Sequence, residues 1–99
     1  MRDYDLSRRA IRDISAARRW YDERGSRLGD RFLNAVLTAI GKAREYPLRP
    51  AEVLPGVRSI GCRRFPYRVY YVTLEDRIII RAVYHSARDP DRWDDPDRE

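Results

Sequence analysis

The sequence predicts an α+β fold of order β-α-α-β-β-β, an antiparallel sheet with an N-terminal helical hairpin packed on one face. Three observations predict it. Residues 8–46 carry apolar side chains at helical spacing in two segments divided at Gly25-Ser26. Residues 67–74 and 78–84 are β-branched and aromatic runs separated by the polar turn Glu75-Asp76-Arg77. Pro47, Pro50 and Pro55 fall between these halves, where they interrupt neither.

The elements follow in order. Residues 2–6 make a short edge strand. Ser7 is a helix N-cap, and from Arg8 to about Arg24 the side chains Ala10, Ile14, Ala17 and Tyr21 share one face, with Ile11 and Trp20 on its flanks. Gly25 ends this helix and Ser26 caps the next. The second helix, about Arg27 to Tyr46, has one stripe of Leu28, Phe32, Ala35, Val36, Ala39, Ala43 and Tyr46. A second stripe of Leu33, Leu37 and Ile40 is rotated from it. A helix apolar on two sides needs two neighbours, so the sheet is one, and the first helix or a partner protein is the other. The short link makes the helices an antiparallel hairpin. PLRPAEVLPG is a connecting loop ending in a Pro-Gly turn, and Val57–Cys62 is a strand. The tail from Asp89 to Glu99 reads as an extended acidic arm with an embedded Trp93.

Composition bounds the function. At 99 residues there is room for one modest core. The N-terminus lacks an apolar signal region and no run reaches membrane-spanning length, so the expected location is cytoplasmic, with no membrane partner. Cys62 is the only cysteine, which excludes an internal disulfide and reads as a small buried apolar residue. With His85 the only histidine, no zinc cluster is expected, and no cofactor motif is present. Residues 1–46 hold eleven basic and seven acidic side chains, residues 47–88 eight and three, and residues 89–99 two and six. All the basic residues but Lys42 are arginine, whose planar fork pairs with phosphate and carboxylate. A GC-rich genome accounts for arginine over lysine, but not for a positive middle beside a negative tail.

Register selects the candidate site. If Thr73 pairs with Ile78, then Tyr67 faces Tyr84, Val69 faces Ala82 and Tyr71 faces Ile80, an apolar set suited to the helix side. The alternate set places Arg68 opposite Val83 and Tyr70 opposite Arg81, with His85 one step on. Arg68, Arg81 and His85 would then converge on the solvated face, an arrangement suited to binding an anion and moving a proton beside it. A lone histidine at a strand end is more often structural than catalytic.

These residues carry a resemblance. The stretches LSRRAIRDI, AREYP, PGVRSI, RRFPYRVYYV and AVYHSARDPDRW, in this order from Leu6 to Trp93, resemble the RelE/ParE superfamily of type II toxin–antitoxin toxins. The resemblance implies a single toxin domain over residues 1–93 followed by an acidic tail over 94–99. It also implies a bacterial growth inhibitor neutralised by an antitoxin whose acidic segment wraps the basic surface. Arg58, Arg63, Arg64 and Arg88 are candidate anion- or partner-binding residues, and Leu33, Leu37 and Ile40 candidate antitoxin contacts. One branch of the superfamily is a metal-free endoribonuclease that cuts ribosome-bound mRNA by 2′-OH attack. Its YoeB-like pattern falls on Glu52 as base, His85 as acid, and Arg68 with Arg81 as phosphate clamp. Ser86 stands where that pattern has an aromatic residue, and the catalytic lysines of RelE-type enzymes have no counterpart. The ParE-like branch, with its plasmid-stabilisation relatives, inhibits DNA gyrase by binding. The long helical hairpin and the extension SARDPDRW resemble this branch more closely.

Overall fold

The computed structural model describes residues 2–87. The elements are β1 (Asp3–Leu6), α1 (Arg8–Asp22), α2 (Leu28–Glu45), β2 (Glu52–Leu54), β3 (Val57–Gly61), β4 (Tyr67–Thr73) and β5 (Arg77–His85). They form a five-stranded sheet of order β1-β5-β4-β3-β2 with the helical hairpin on one face. The expected architecture is present, with two differences. Glu52–Leu54, expected as loop, is a short edge strand that turns back through Pro55 and Gly56, the latter at φ +77° as its place in the turn demands. The sheet is also mixed, because β1 runs parallel to β5. The reason lies at the N-terminus. Arg2 donates to the carbonyls of Leu74 and Glu75 in the β4–β5 turn, so β1 and β5 start from the same end.

Ser7 joins three elements. Its Oγ accepts from the Ala10 amide at 3.0 Å, the N-cap bond expected from sequence. The same hydroxyl donates to the Arg81 carbonyl at 2.9 Å, and the Ser7 amide donates to the Ile80 carbonyl at 2.9 Å. Where β1 stops, α1 therefore takes over the edge of β5. Asp13, one and a half turns on, completes the seam by accepting from the Val83 amide at 3.0 Å.

The hairpin link differs from expectation. Helix α1 ends at Asp22, before Gly25, and the left-handed residue is Arg27 at φ +61°. Ser26 does not cap α2. The Asp22 carboxylate, reaching across from the end of α1, accepts from the Gly29 amide at 3.0 Å instead. That cap leaves no room for a side chain, since a Cβ on Gly29 would lie 2.2 Å from Asp22 Oδ1.

The core lies between the hairpin and the sheet. Phe32, Val36, Ala39 and Ala43 of α2 and Ala10 and Ala17 of α1 are buried against Val69, Tyr71, Ile78, Ile80 and Val83. Ile40 belongs to this core at 2 % exposure, whereas Leu37 is 44 % exposed. The second stripe on α2 is thus split: Ile40 is a core residue and cannot contact an antitoxin. At one end Phe32 packs on Tyr21, Phe65 and Tyr67 with ring centroids 5.1–5.5 Å apart, fastening the hairpin to the β3–β4 turn.

Candidate functional site

The β4–β5 register holds as expected from Thr73↔Ile78 through Tyr71↔Ile80 and then slips. Arg81 is the extra residue of a bulge, so that Tyr70 faces Ala82, Val69 faces Val83, Arg68 faces Tyr84 and Tyr67 faces His85. The slip moves every residue after Arg81 to the other face. Val83, not Ala82 or Tyr84, enters the helix-side core, and Ala82 and Tyr84 join Tyr70 on the opposite face, with Val57 packed beside them. His85 consequently leaves the face of Arg68. The expected convergence of Arg68, Arg81 and His85 does not form.

What remains on the face away from the helices is a small second cluster of buried residues, Tyr70, Ala82 and Tyr84, edged by arginine side chains. Arg68 lies across β3, with Nε donating to Ser59 Oγ at 2.9 Å. Gly61 makes that pose possible, since a Cβ there would stand 3.2 Å from an Arg68 terminal nitrogen. Tyr70 and Tyr84 sit side by side with ring centroids 5.7 Å apart. Arg9 of α1 donates to the Tyr84 hydroxyl and holds its guanidinium 5.0 Å from that ring. Burial pushes the Tyr70 hydroxyl pKa up, with Arg68 opposing, so this tyrosine serves as a neutral hydrogen-bonding group. Arg9 and Ser59 were missed by sequence reasoning. Arg9 stands four residues before Asp13 and reads as its ordinary helical ion pair, which it also is, at 3.3 Å.

His85 is exposed at the other side of the sheet end, its ring 5.3 Å from that of Tyr67. The Ala87 amide donates to its Nδ1 at 3.1 Å, which places the proton of the neutral ring on Nε2. With Asp13, Ala16, Trp20 and Tyr67 it lines a cleft of about 240 Å³ between α1 and β5.

Glu52 is far from both groups. It lies on the edge strand, accepting from the Gly56 amide at 2.9 Å and pairing with Arg58 at 3.7 Å. Pairing runs from Glu52 through Arg58 and Tyr71 to Ile80, so three strand spacings and several residues separate it from His85, about 20 Å in all. A base and an acid at that distance cannot serve one phosphate. Arg58 is occupied structurally, donating to the carbonyls of Pro50 at 2.5 Å and Leu48 at 3.3 Å. Arg63 and Arg64 are exposed in the β3–β4 turn. With Arg31, Leu28, Ala35, Tyr21 and Phe65 they line a groove of about 1040 Å³ along α2. Leu33 is half-buried. Arg88 and Trp93 lie outside the described residues. Cys62 is buried as expected, and its thiol is pushed up to about 11 by that burial, against a smaller pull from Arg68. Among the described residues no group of three or more His, Cys, Asp or Glu could hold a metal ion, and no helix is long and apolar enough to cross a membrane.

Comparison with known proteins places this geometry. No curated protein sequence matches the chain. Among solved structures it is similar to one described as the chromosomal ParDE TA system from P. aeruginosa, with a TM-score of 0.69 and 18% identity, covering 86% of this chain and 96% of that one. At that identity the likeness speaks to the fold. A family profile described as ParE toxin of type II toxin-antitoxin system, parDE, matches residues 4–90. That match takes in both helices and all of the sheet but its first residue, and the chain belongs to the ParE toxin family of type II toxin–antitoxin systems.

Proposed function

We propose that this toxin arrests growth by binding and inhibiting DNA gyrase, and that an antitoxin with an acidic segment restrains it. The observation that carries the choice of target is the separation of Glu52 from His85. The endoribonuclease reading needs both carboxylate and imidazole at one phosphate, with Arg68 and Arg81 beside them. The bulge at Arg81 puts His85 across the sheet from Arg68, and the carboxylate is tied down at the far edge. Binding is supported instead by the groove along α2, where the exposed forks of Arg31, Arg63 and Arg64 stand beside Tyr21 and Phe65, an arrangement that suits an interface rather than a reaction. For the antitoxin, the groove along α2 combines the exposed cations Arg31, Arg63 and Arg64 with the apolar Leu28 and Phe65, a match for an acidic amphipathic segment. Leu33 and Leu37, by helical spacing, fall on the other side of α2 and are not part of that groove.

The test is direct. Purified chain should block supercoiling by gyrase, and its expression should induce the DNA-damage response and filamentation while translation continues. His85→Ala should leave toxicity intact. Arrest of translation with mRNAs cut at the ribosomal A site would overturn the reading in favour of the nuclease.

A further inference from the structure

We infer that α2 is the interface for a second copy of this chain, the two α2 helices packing antiparallel across a two-fold axis at Leu37. The inference is independent of the toxin's target and of the groove proposed for the antitoxin. It starts from what the core leaves over. Of the second stripe on α2, Ile40 is buried, Leu33 is half-buried and Leu37 is 44 % exposed. One turn beyond Leu37, Gly41 opens a notch, since a Cβ there would meet no atom of the described residues within 4 Å. Glycine weakens a helix interior relative to alanine, and no contact among the described residues requires it here. What glycine does allow is the close approach of another side chain to the helix backbone. The hairpin adds Ile11, 49 % exposed. The register that sets Asp22 on Gly29 and Arg18 on Asp30 brings it level with residues 37–40.

The order of residues along α2 fits its own copy. In an antiparallel pair centred on Leu37, Leu37 meets Leu37, Leu33 of each chain enters the notch at Gly41 of the other, and Asp30 meets Arg44. The charges match: Asp30 is exposed, and Arg44 keeps only its Nε on the Arg2 carbonyl at 2.6 Å, leaving its terminal nitrogens for the partner. The five positions lie within about 80° of one another around the helix and extend over about 21 Å. Arg31 and Thr38 fall about 100–120° away from Leu37, so the groove along α2 stays open and a dimer presents two of them. A contact of this length and one helix wide covers about 200 Å² of each copy, well below the roughly 800 Å² of a stable interface. The dimer is therefore a weak, concentration-dependent one.

The experiment uses the full chain, in which Cys62 is buried with its thiol pushed up to about 11 and stays out of disulfide formation at neutral pH. Leu37→Cys, oxidised with diamide at about 100 μM protein, should give a disulfide-linked dimer, while Thr38→Cys, turned toward the groove, should stay monomeric. Gly41→Leu fills the notch without meeting its own chain, so it should lower the cross-linking of Leu37→Cys by about tenfold or more with no fall in the thermal midpoint. Without any cysteine introduced, sedimentation equilibrium should show the chain moving from monomer toward dimer between about 1 and about 500 μM, and Gly41→Leu remaining monomeric. Equal cross-linking at positions 37 and 38, indifference to Gly41→Leu, or a monomer at every concentration would overturn the inference.

Discussion

Asp13→Ala tests the seam that joins α1 to the sheet. Asp13 Oδ2 accepts from the Val83 amide at 3.0 Å, and Oδ1 pairs with Arg9 Nε at 3.3 Å. Val83 is 2 % exposed, so its amide has little access to water once the acceptor is gone. Stranding that amide costs about 1.5–3 kcal/mol, the range for a hydrogen bond to a charged group. The partly buried helical ion pair adds about 0.3–0.5 kcal/mol. For a domain of this size each kcal/mol lowers the midpoint by about 4–8 °C, so a loss of about 2–3 kcal/mol moves Tm down by roughly 10–20 °C. Asp13→Asn keeps a neutral acceptor and should lose about 1 kcal/mol. Calorimetry on the two variants measures the difference, and hydrogen exchange locates it, because the Val83 amide should lose protection more than Val69 in the sheet interior. An alanine variant with an unchanged midpoint, or one in which Val83 keeps its protection, would refute the assignment of this carboxylate as the edge cap of β5.

Other outcomes follow from the same contacts. Gly29→Ala places a Cβ 2.2 Å from Asp22 Oδ1 and must expel the carboxylate that caps α2. It should cost about 1–2 kcal/mol in urea unfolding, the worth of a cap, in spite of alanine's better helix propensity. Alkaline pH should destabilise the fold. The Cys62 thiol ionises at about 11 in the folded chain and near its ordinary 9.0 when unfolded, so the unfolded state loses its proton first. Stability is fully present below about 9 and falls by about 2 kcal/mol as pH rises to about 11. Burial of Tyr21, Tyr70 and Tyr71 acts in the same direction at higher pH. Urea midpoints measured across that range should show Cys62→Ala removing the first part of the decline. Finally, Gly61→Ala crowds the Arg68 guanidinium at 3.2 Å and should break its hydrogen bond to Ser59, read as a shift of the Ser59 amide resonance, with little change in Tm.

Periodicity carried most of the fold. The stripe Ala10, Ile14, Ala17 and Tyr21 and the run Phe32, Val36, Ala39 and Ala43 were legible because burial repeats every three or four residues, and both lie in or against the core. The Ser7 cap was legible because a hydroxyl before a periodic run has one common use. The hairpin link was not. Asp22 reads as part of the exposed face of α1, and only the return path of the chain shows that its carboxylate meets the start of α2. The direction of β1 was equally hidden, since four residues with one edge neighbour carry no sign of orientation.

The site failed at a single residue, and the failure is physical. Strand patterning assigns faces by parity, so one bulged residue inverts every assignment beyond it. Residues 78 to 84 read IIIRAVY, in which Ala82 and Val83 are both small apolar side chains and either fits the core. Nothing in their hydrophobicity distinguishes the continuous register from the bulged one. The distinction comes from α1: Ser7 claims the Arg81 carbonyl and Asp13 claims the Val83 amide, so the helix bends the edge strand where β1 has ended. The same two contacts that cap the sheet edge thus separate His85 from Arg68. A chain that looks from sequence as if it gathers an acid beside an anion clamp is built instead with its imidazole on one side of the sheet and its arginine face on the other. That division suits a toxin that works by occupying its target.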